Sequence, residues 1–121
     1  MSDDADPAGD SAVDADGGET PDAADHDTAD VLDSLFATIE ARKRDLPEGS
    51  YTASLFTHEK GENAVLEKLG EESTEIVLAA KDDDDAELLH ESADFVYHLL
   101  VLLSTKELDV DDLRDELEAR F

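Results

Sequence analysis

Apolar residues recur along this chain at helical spacing, and they begin only after residue 30. Val31, Leu35 and Ile39 fall every fourth position with Leu32 and Phe36 beside them, the stripe of a helix that buries one face. Its predicted span is 31–44. Asp30 offers an N-cap, and Arg42, Lys43 and Arg44 suit the negative end of the helix dipole. Pro47-Glu48-Gly49 then breaks the chain. Residues 50–57 read as a short helical turn carrying Tyr51, Leu55 and Phe56, ended by Gly61. A second long helix is predicted over 62–81, with Val65, Leu69, Ile76 and Ala80 on its apolar side. After the acidic turn 82–85, Asp84 can cap a third helix, with Glu87 in a capping-box-like position, that runs to about residue 105. A fourth, over 109–120, is amphipathic through Val110, Leu113 and Leu117. No strand pattern competes and no internal repeat is present. The expected fold is all-α, a bundle of four to five helices formed by residues 30–121.

The third helix is apolar nearly all round: Ala93, Phe95, Val96, Leu99, Leu100, Val101, Leu102 and Leu103. Three short neighbours do not cover such a helix, so a homo-oligomer that shares it in a common core is expected. Its polar exceptions form a stripe. Glu87, Glu91, Asp94 and His98 fall within roughly 60° of arc, and on the second helix Lys68, Glu71, Glu72 and Glu75 fall within roughly 100°. If the two helices pack antiparallel across their short turn, the stripes face each other as a cage of oxygens with one lysine. Carboxylates so crowded do not all ionise without a cation between them, and oxygen ligands suit Mg²⁺. Glu72 with Glu75, and Glu91 with Asp94, are pairs at helical-neighbour spacing that could hold one or two Mg²⁺. Glu71 could be a further ligand or the base for a water. Blander readings exist for each part. Three glutamates on a helix of an acidic chain are usually a solvated face, and His98 alone is more often a hydrogen-bonded core histidine than a ligand. His26, His58 and His90 have no companions at metal-ligand spacing. Gly70 either admits a close approach or is simply a tolerated mid-helix glycine.

Composition changes the picture in two ways. Residues 1–30 hold eleven acids, no Lys or Arg, and no Leu, Ile or aromatic residue, which predicts a disordered acidic tail over 1–29 rather than part of the domain. With no basic region and no apolar core, it is not a signal or transit peptide. The remaining residues still carry 24 acids against 9 bases. That excess fits a cytoplasm of very high salt, where carboxylates keep a surface hydrated. Such a field repels nucleic acid and anionic membranes. The absence of cysteine excludes disulfides and Cys-based zinc sites, and the longest apolar run, Leu99 to Leu103, is too short to span a bilayer. A soluble, cytoplasmic protein is expected.

From Val31 to about Leu117 the chain resembles the phosphoribosyl-ATP pyrophosphatases, within the wider all-α MazG-like nucleoside triphosphate pyrophosphohydrolases. The likeness is carried by Val31-Leu32-x-x-Leu35-Phe36-x-x-Ile39-Glu40-x-Arg42, Gly49-Ser50-Tyr51-Thr52, Lys68-Leu69-Gly70-Glu71-Glu72-x-x-Glu75, Ala79-Ala80-Lys81 and Glu91-x-Ala93-Asp94-x-x-Tyr97-His98-Leu99. The acidic motif defines the wider group; Gly-Ser-Tyr-Thr and Tyr-His-Leu narrow it. The resemblance implies a homodimer or larger assembly using Mg²⁺. The implied reaction is hydrolysis of phosphoribosyl-ATP to phosphoribosyl-AMP and pyrophosphate, the second step of histidine biosynthesis. It carries metal ligands over to Glu72, Glu75, Glu91 and Asp94, with Glu71 as a fifth member. Glu71, Glu72 and Lys68 are the catalytic candidates. Lys68 and Lys81 are candidates for phosphate contacts, and Ser50, Tyr51 and Thr52 for the ribose, base or phosphoribosyl group. The acidic tail departs from the family pattern, and the zinc-dependent cyclohydrolase sometimes fused to these enzymes is lacking.

Three rivals remain at this stage. A house-cleaning pyrophosphatase for non-standard nucleotides uses the same acidic scaffold. A di-iron bundle needs Glu-x-x-His from two helices, and Glu87-x-x-His90 occurs once. A non-enzymatic helical interaction module predicts no specific Mg²⁺ effect.

Overall fold

The computed structural model describes residues 30–121; the tail expected to be disordered, and His26 with it, lie outside the described residues. Five helices follow in order: α1 Val31–Asp45, α2 Tyr51–Thr57, α3 Glu62–Lys81, α4 Asp85–Thr105 and α5 Val110–Glu118. The all-α reading holds, and the short segment after Pro47 is a true helix.

Local chemistry sets the boundaries. The Asp33 N–H donates to the Asp30 carboxylate at 2.9 Å and opens α1. Ser50 caps α2 by accepting from the Ala53 N–H at 3.0 Å. Gly61, at φ 63°, turns the chain into α3. At α4 the Glu87 N–H donates to Asp84, but the reciprocal half of the expected capping box is displaced. The Asp84 N–H is taken by the Ala79 carbonyl at 3.0 Å, which leaves the Glu87 side chain to turn elsewhere. The complete box occurs at α5, between Asp109 and Asp112. α1 ends on Leu46, a non-glycine residue in the left-handed region at φ 47° and nearly half exposed. Leu46→Gly is therefore expected to raise stability by about 1 kcal/mol, read as a higher Tm. An unchanged or lower Tm would count against the strained cap.

α3 and α4 form an antiparallel hairpin. Going along α3, Glu62 meets Lys106, Glu72 meets His98, and Glu75 lies by Glu91, so one helix advances as the other retreats. The remaining helices close one side of this hairpin over a core of Phe36, Ile39, Leu55, Val65, Tyr97, Leu100, Val101 and Val110. Polar ties lock α1 to the C-terminal part. Ser104 donates to Glu40 at 2.6 Å, and Lys43 donates to the Ser104 carbonyl at 2.8 Å. Arg114 of α5 reaches back to Asp33 at 2.6 Å and to Asp30, whose carboxyl it holds below its usual range.

The hairpin's other side stays uncovered in the single chain. α4 buries Tyr97, His98, Leu100, Val101 and Ser104, yet Leu89 is 72% exposed, and on α3 Val77 is 57% and Leu78 50% exposed. No helix among the described residues is long and apolar enough to cross a membrane.

Candidate active site

The antiparallel register brings the two acidic stripes face to face. Carboxylate oxygens of Glu75, Glu87 and Glu91 lie within 4.8 Å of one another. Glu75 and Glu91 were expected there. Glu87 was seen in the stripe but assigned to the cap; its position four residues before Glu91 was the signal that it shares the face. Burial pushes the Glu91 carboxyl up from 4.5 to about 7, helped by its hydrogen bond to Glu87 and by the charges of Glu87 and Asp94; His90 opposes. Carboxylates this close raise one another unless a cation intervenes. An octahedral ion with oxygens at about 2.1 Å holds them roughly 3 to 4 Å apart, so small side-chain rotations suffice and the donor set fits a hard divalent ion.

The sign of the resulting pH dependence follows from Glu91. The unfolded chain releases that proton near 4.5 and the folded chain near 7, so the folded state binds more protons in between. Its stability contribution falls as pH rises through that window. The difference in Tm between the parent protein and Glu91→Gln, measured without divalent ions at fixed KCl, is expected to change across the same interval. A pH-independent difference would contradict the geometry.

The other two expected ligands sit beside histidines. Asp94 lies 3.4 Å from the exposed His90. Glu72 is buried, and its Oε1 is 2.9 Å from His98 Nδ1. The same Nδ1 is 3.0 Å from the Asp94 carbonyl, which only accepts, so Nδ1 carries the hydrogen. His98 Nε2 then accepts from the Tyr51 hydroxyl at 3.0 Å. The result is a directed chain, Tyr51 to His98 to Glu72, that fixes one oxygen of Glu72 and leaves Oε2 with no hydrogen bond among the described residues. Tyr97 stacks edgewise on His98 at 4.8 Å between ring centroids and bonds Thr52 at 2.6 Å. His98 is thus the hydrogen-bonded core histidine that its apolar setting suggested, and also the brace of an acidic side chain.

Lys68 lies 3.9 Å from the exposed Glu71, and both line a cavity of about 210 Å³ between α2 and the first half of α3, with Tyr51 on its wall. Ser50 and Thr52 do not line it. Ser50 is buried as the α2 cap, and Thr52 is buried on Tyr97. Lys81 is exposed at the far end of α3 and does not line it either. Gly70 has open space around it, so no close approach in the single chain requires glycine there.

Comparison with known proteins gives this geometry a context. The family model described as phosphoribosyl-ATP pyrophosphohydrolase matches residues 32–121. A protein named phosphoribosyl-ATP pyrophosphatase from Haloarcula marismortui is 78% identical over 94 residues, covering 78% of this chain and 96% of its own length. One of the same name from Natronomonas pharaonis is 73% identical over 95 residues, covering 78% and 94%. Likeness extends to a Clostridium botulinum protein of that name, 50% identical over 90 residues, covering 74% and 80%.

Proposed function

The chain belongs to the phosphoribosyl-ATP pyrophosphohydrolase family, and on that footing we infer that it hydrolyses phosphoribosyl-ATP to phosphoribosyl-AMP and pyrophosphate in histidine biosynthesis. The observation that carries the reading onto this chain's own residues is the convergence of Glu75, Glu87 and Glu91 across the α3–α4 hairpin. Glu75, Glu87 and Glu91 would hold Mg²⁺, with Glu72 through its unbonded oxygen and Asp94 completing the set. When bound, the ion neutralises phosphate charge and lowers the pKa of a water. Everything else is work for the protein. His98 holds one oxygen of Glu72 in place, and Tyr51 keeps His98 in one tautomer. Lys68 offers a cation to substrate phosphate, one turn from Glu72. Glu71, exposed beside it, would take a proton from an attacking water.

The direct test is pyrophosphate release from phosphoribosyl-ATP at high KCl, with and without Mg²⁺. Mg²⁺-dependent release is expected. No release, or faster cleavage of a modified nucleoside triphosphate, would overturn the assignment.

The assembly is a homodimer or larger. Support comes from the uncovered apolar residues of the hairpin, Val77, Leu78, Leu89 and Val96, which a second copy would bury. Sedimentation showing a stable monomer at high salt would remove this part. The acid excess of the chain and its likeness to haloarchaeal relatives support a place in a salt-rich cytoplasm.

A further inference from the structure

The cavity between α2 and α3 has a second half that the reaction just described leaves unused. Its outer wall is His58 and Lys60, on the turn that leads through Gly61 into α3, facing Lys68 and Tyr51. In a chain with only five lysines, two line this one cavity. Lys43 and Lys106 are engaged elsewhere, on Ser104 with Glu107 and on Glu62 respectively. The acids on the same rim are Glu67, 3.1 Å from Lys60, and Glu71, 3.9 Å from Lys68. These ion pairs are largely exposed. Such pairs contribute little, so an incoming anion can replace the carboxylates at small cost.

His58 adds a donor of fixed identity. The Lys60 backbone N–H donates to His58 Nδ1 at 3.0 Å. Nδ1 must therefore accept, and the neutral ring carries its hydrogen on Nε2. Two ammonium groups and an imidazole N–H form a donor set suited to a phosphate ester.

Size and position say which phosphate. At about 210 Å³ the cavity is smaller than the roughly 300 Å³ and upward that encloses a whole drug-sized ligand, so it takes one end of a nucleotide. Lys68 stands two turns of α3 before Glu75, about 10 Å along the axis. A purine flanked by two riboses separates the phosphates at opposite ends of phosphoribosyl-ATP, a span of that order or longer, and the cavity runs on past Lys68 to His58 and Lys60. We propose that this cavity seats the phosphomonoester of the substrate's phosphoribosyl group, with Lys60 and His58 as residues that distinguish phosphoribosyl-ATP from plain nucleoside triphosphates. The proposal rests on the substrate assignment above.

Kinetics and ligand binding by the full chain test it, at one KCl concentration because salt screens such contacts. Lys60→Ala is expected to raise KM for phosphoribosyl-ATP about tenfold with kcat within twofold, the loss of one charge-assisted contact. Lys60→Glu should raise it further. Ribose 5-phosphate should inhibit the parent protein competitively and Lys60→Glu about tenfold more weakly, whereas product inhibition by pyrophosphate should be the same in both. An unchanged KM in Lys60→Glu would overturn the proposal. So would a parallel loss of pyrophosphate inhibition, which would assign the cavity to the reacting end. If the parent protein releases no pyrophosphate, the substrate assignment fails by itself. Ribose 5-phosphate titrated into the parent protein and Lys60→Glu by calorimetry then decides the cavity alone: equal or absent heats overturn it, and heats confined to the parent support it.

Discussion

Replacing Glu91 by glutamine is expected to lower pyrophosphate release from phosphoribosyl-ATP by about 10²–10³-fold while leaving the helical content unchanged. The loss is of the order seen when one preorganised group facing transition-state charge is removed, and a metal ligand is such a group. Glu91 is the sharpest probe among the five acids because two forces meet on it. It is drawn into an apolar helix and crowded by Glu87 and Asp94, which pushes its carboxyl up to about 7. A glutamine there relieves that crowding. The metal-free variant is therefore expected to be at least as stable as the parent near neutral pH, while being nearly inactive. Mg²⁺, which at a hundred times its Kd would stabilise the parent by about 2.7 kcal/mol, should stabilise the variant much less. Activity and Mg²⁺ stabilisation that both survive Glu91→Gln would remove the carboxylate cluster from the reaction.

Replacing His98 by leucine is expected to be the most damaging single change to stability. It removes the partner of a buried carboxylate at Glu72 and of the Tyr51 hydroxyl together. Breaking a buried charged contact from one side costs about 3–5 kcal/mol. A small domain has about 5–15 kcal/mol in total, so His98→Leu should melt far below the parent or fold only at high salt. His98→Asn separates positioning from packing, since its amide N–H takes the place of Nδ1–H. It should recover much of the stability and hold Mg²⁺ about 10–100-fold more tightly than a His98→Gln variant, whose amide instead sits near the Nε2 position. Equal Mg²⁺ binding by the two amides, measured by calorimetry, would leave His98 a packing residue only.

Much of this arrangement was written in the chain. The four-residue recurrence of Val31, Leu35 and Ile39, and the stripes on α3 and α4, survive folding because each helix buries one face, and periodicity encodes a face directly. The caps at Asp30 and Asp84 are equally local signals. What was not legible is how one side chain chooses between two local uses. Glu87 matches a capping box, and only the Ala79 carbonyl, arriving from the preceding helix, removes that option and turns the carboxylate toward Glu75 and Glu91. Ser50 and Thr52 read as substrate contacts from their motif; their depth of burial, Ser50 as the α2 cap and Thr52 on Tyr97, is something a motif does not encode. His58 had no companions at metal-ligand spacing in sequence; the fold sets it in a cavity with Lys60 beside it and Tyr51 and Lys68 from α2 and α3.

The α3–α4 hairpin carries a consequence for how the molecule comes into being. All three clustered carboxylates lie on one hairpin, joined by a three-residue turn at Asp82, Asp83 and Asp84. Bringing such close neighbours in the chain together takes on the order of 10–100 ns, far faster than most whole-domain folding. α5 follows that hairpin in the chain, and it supplies Val110 to the core and the Arg114 clasp onto Asp30 and Asp33. The loop that gathers the carboxylates is thus short and cheap in chain entropy, while the Arg114 clasp closes over more than eighty residues, a larger entropic cost.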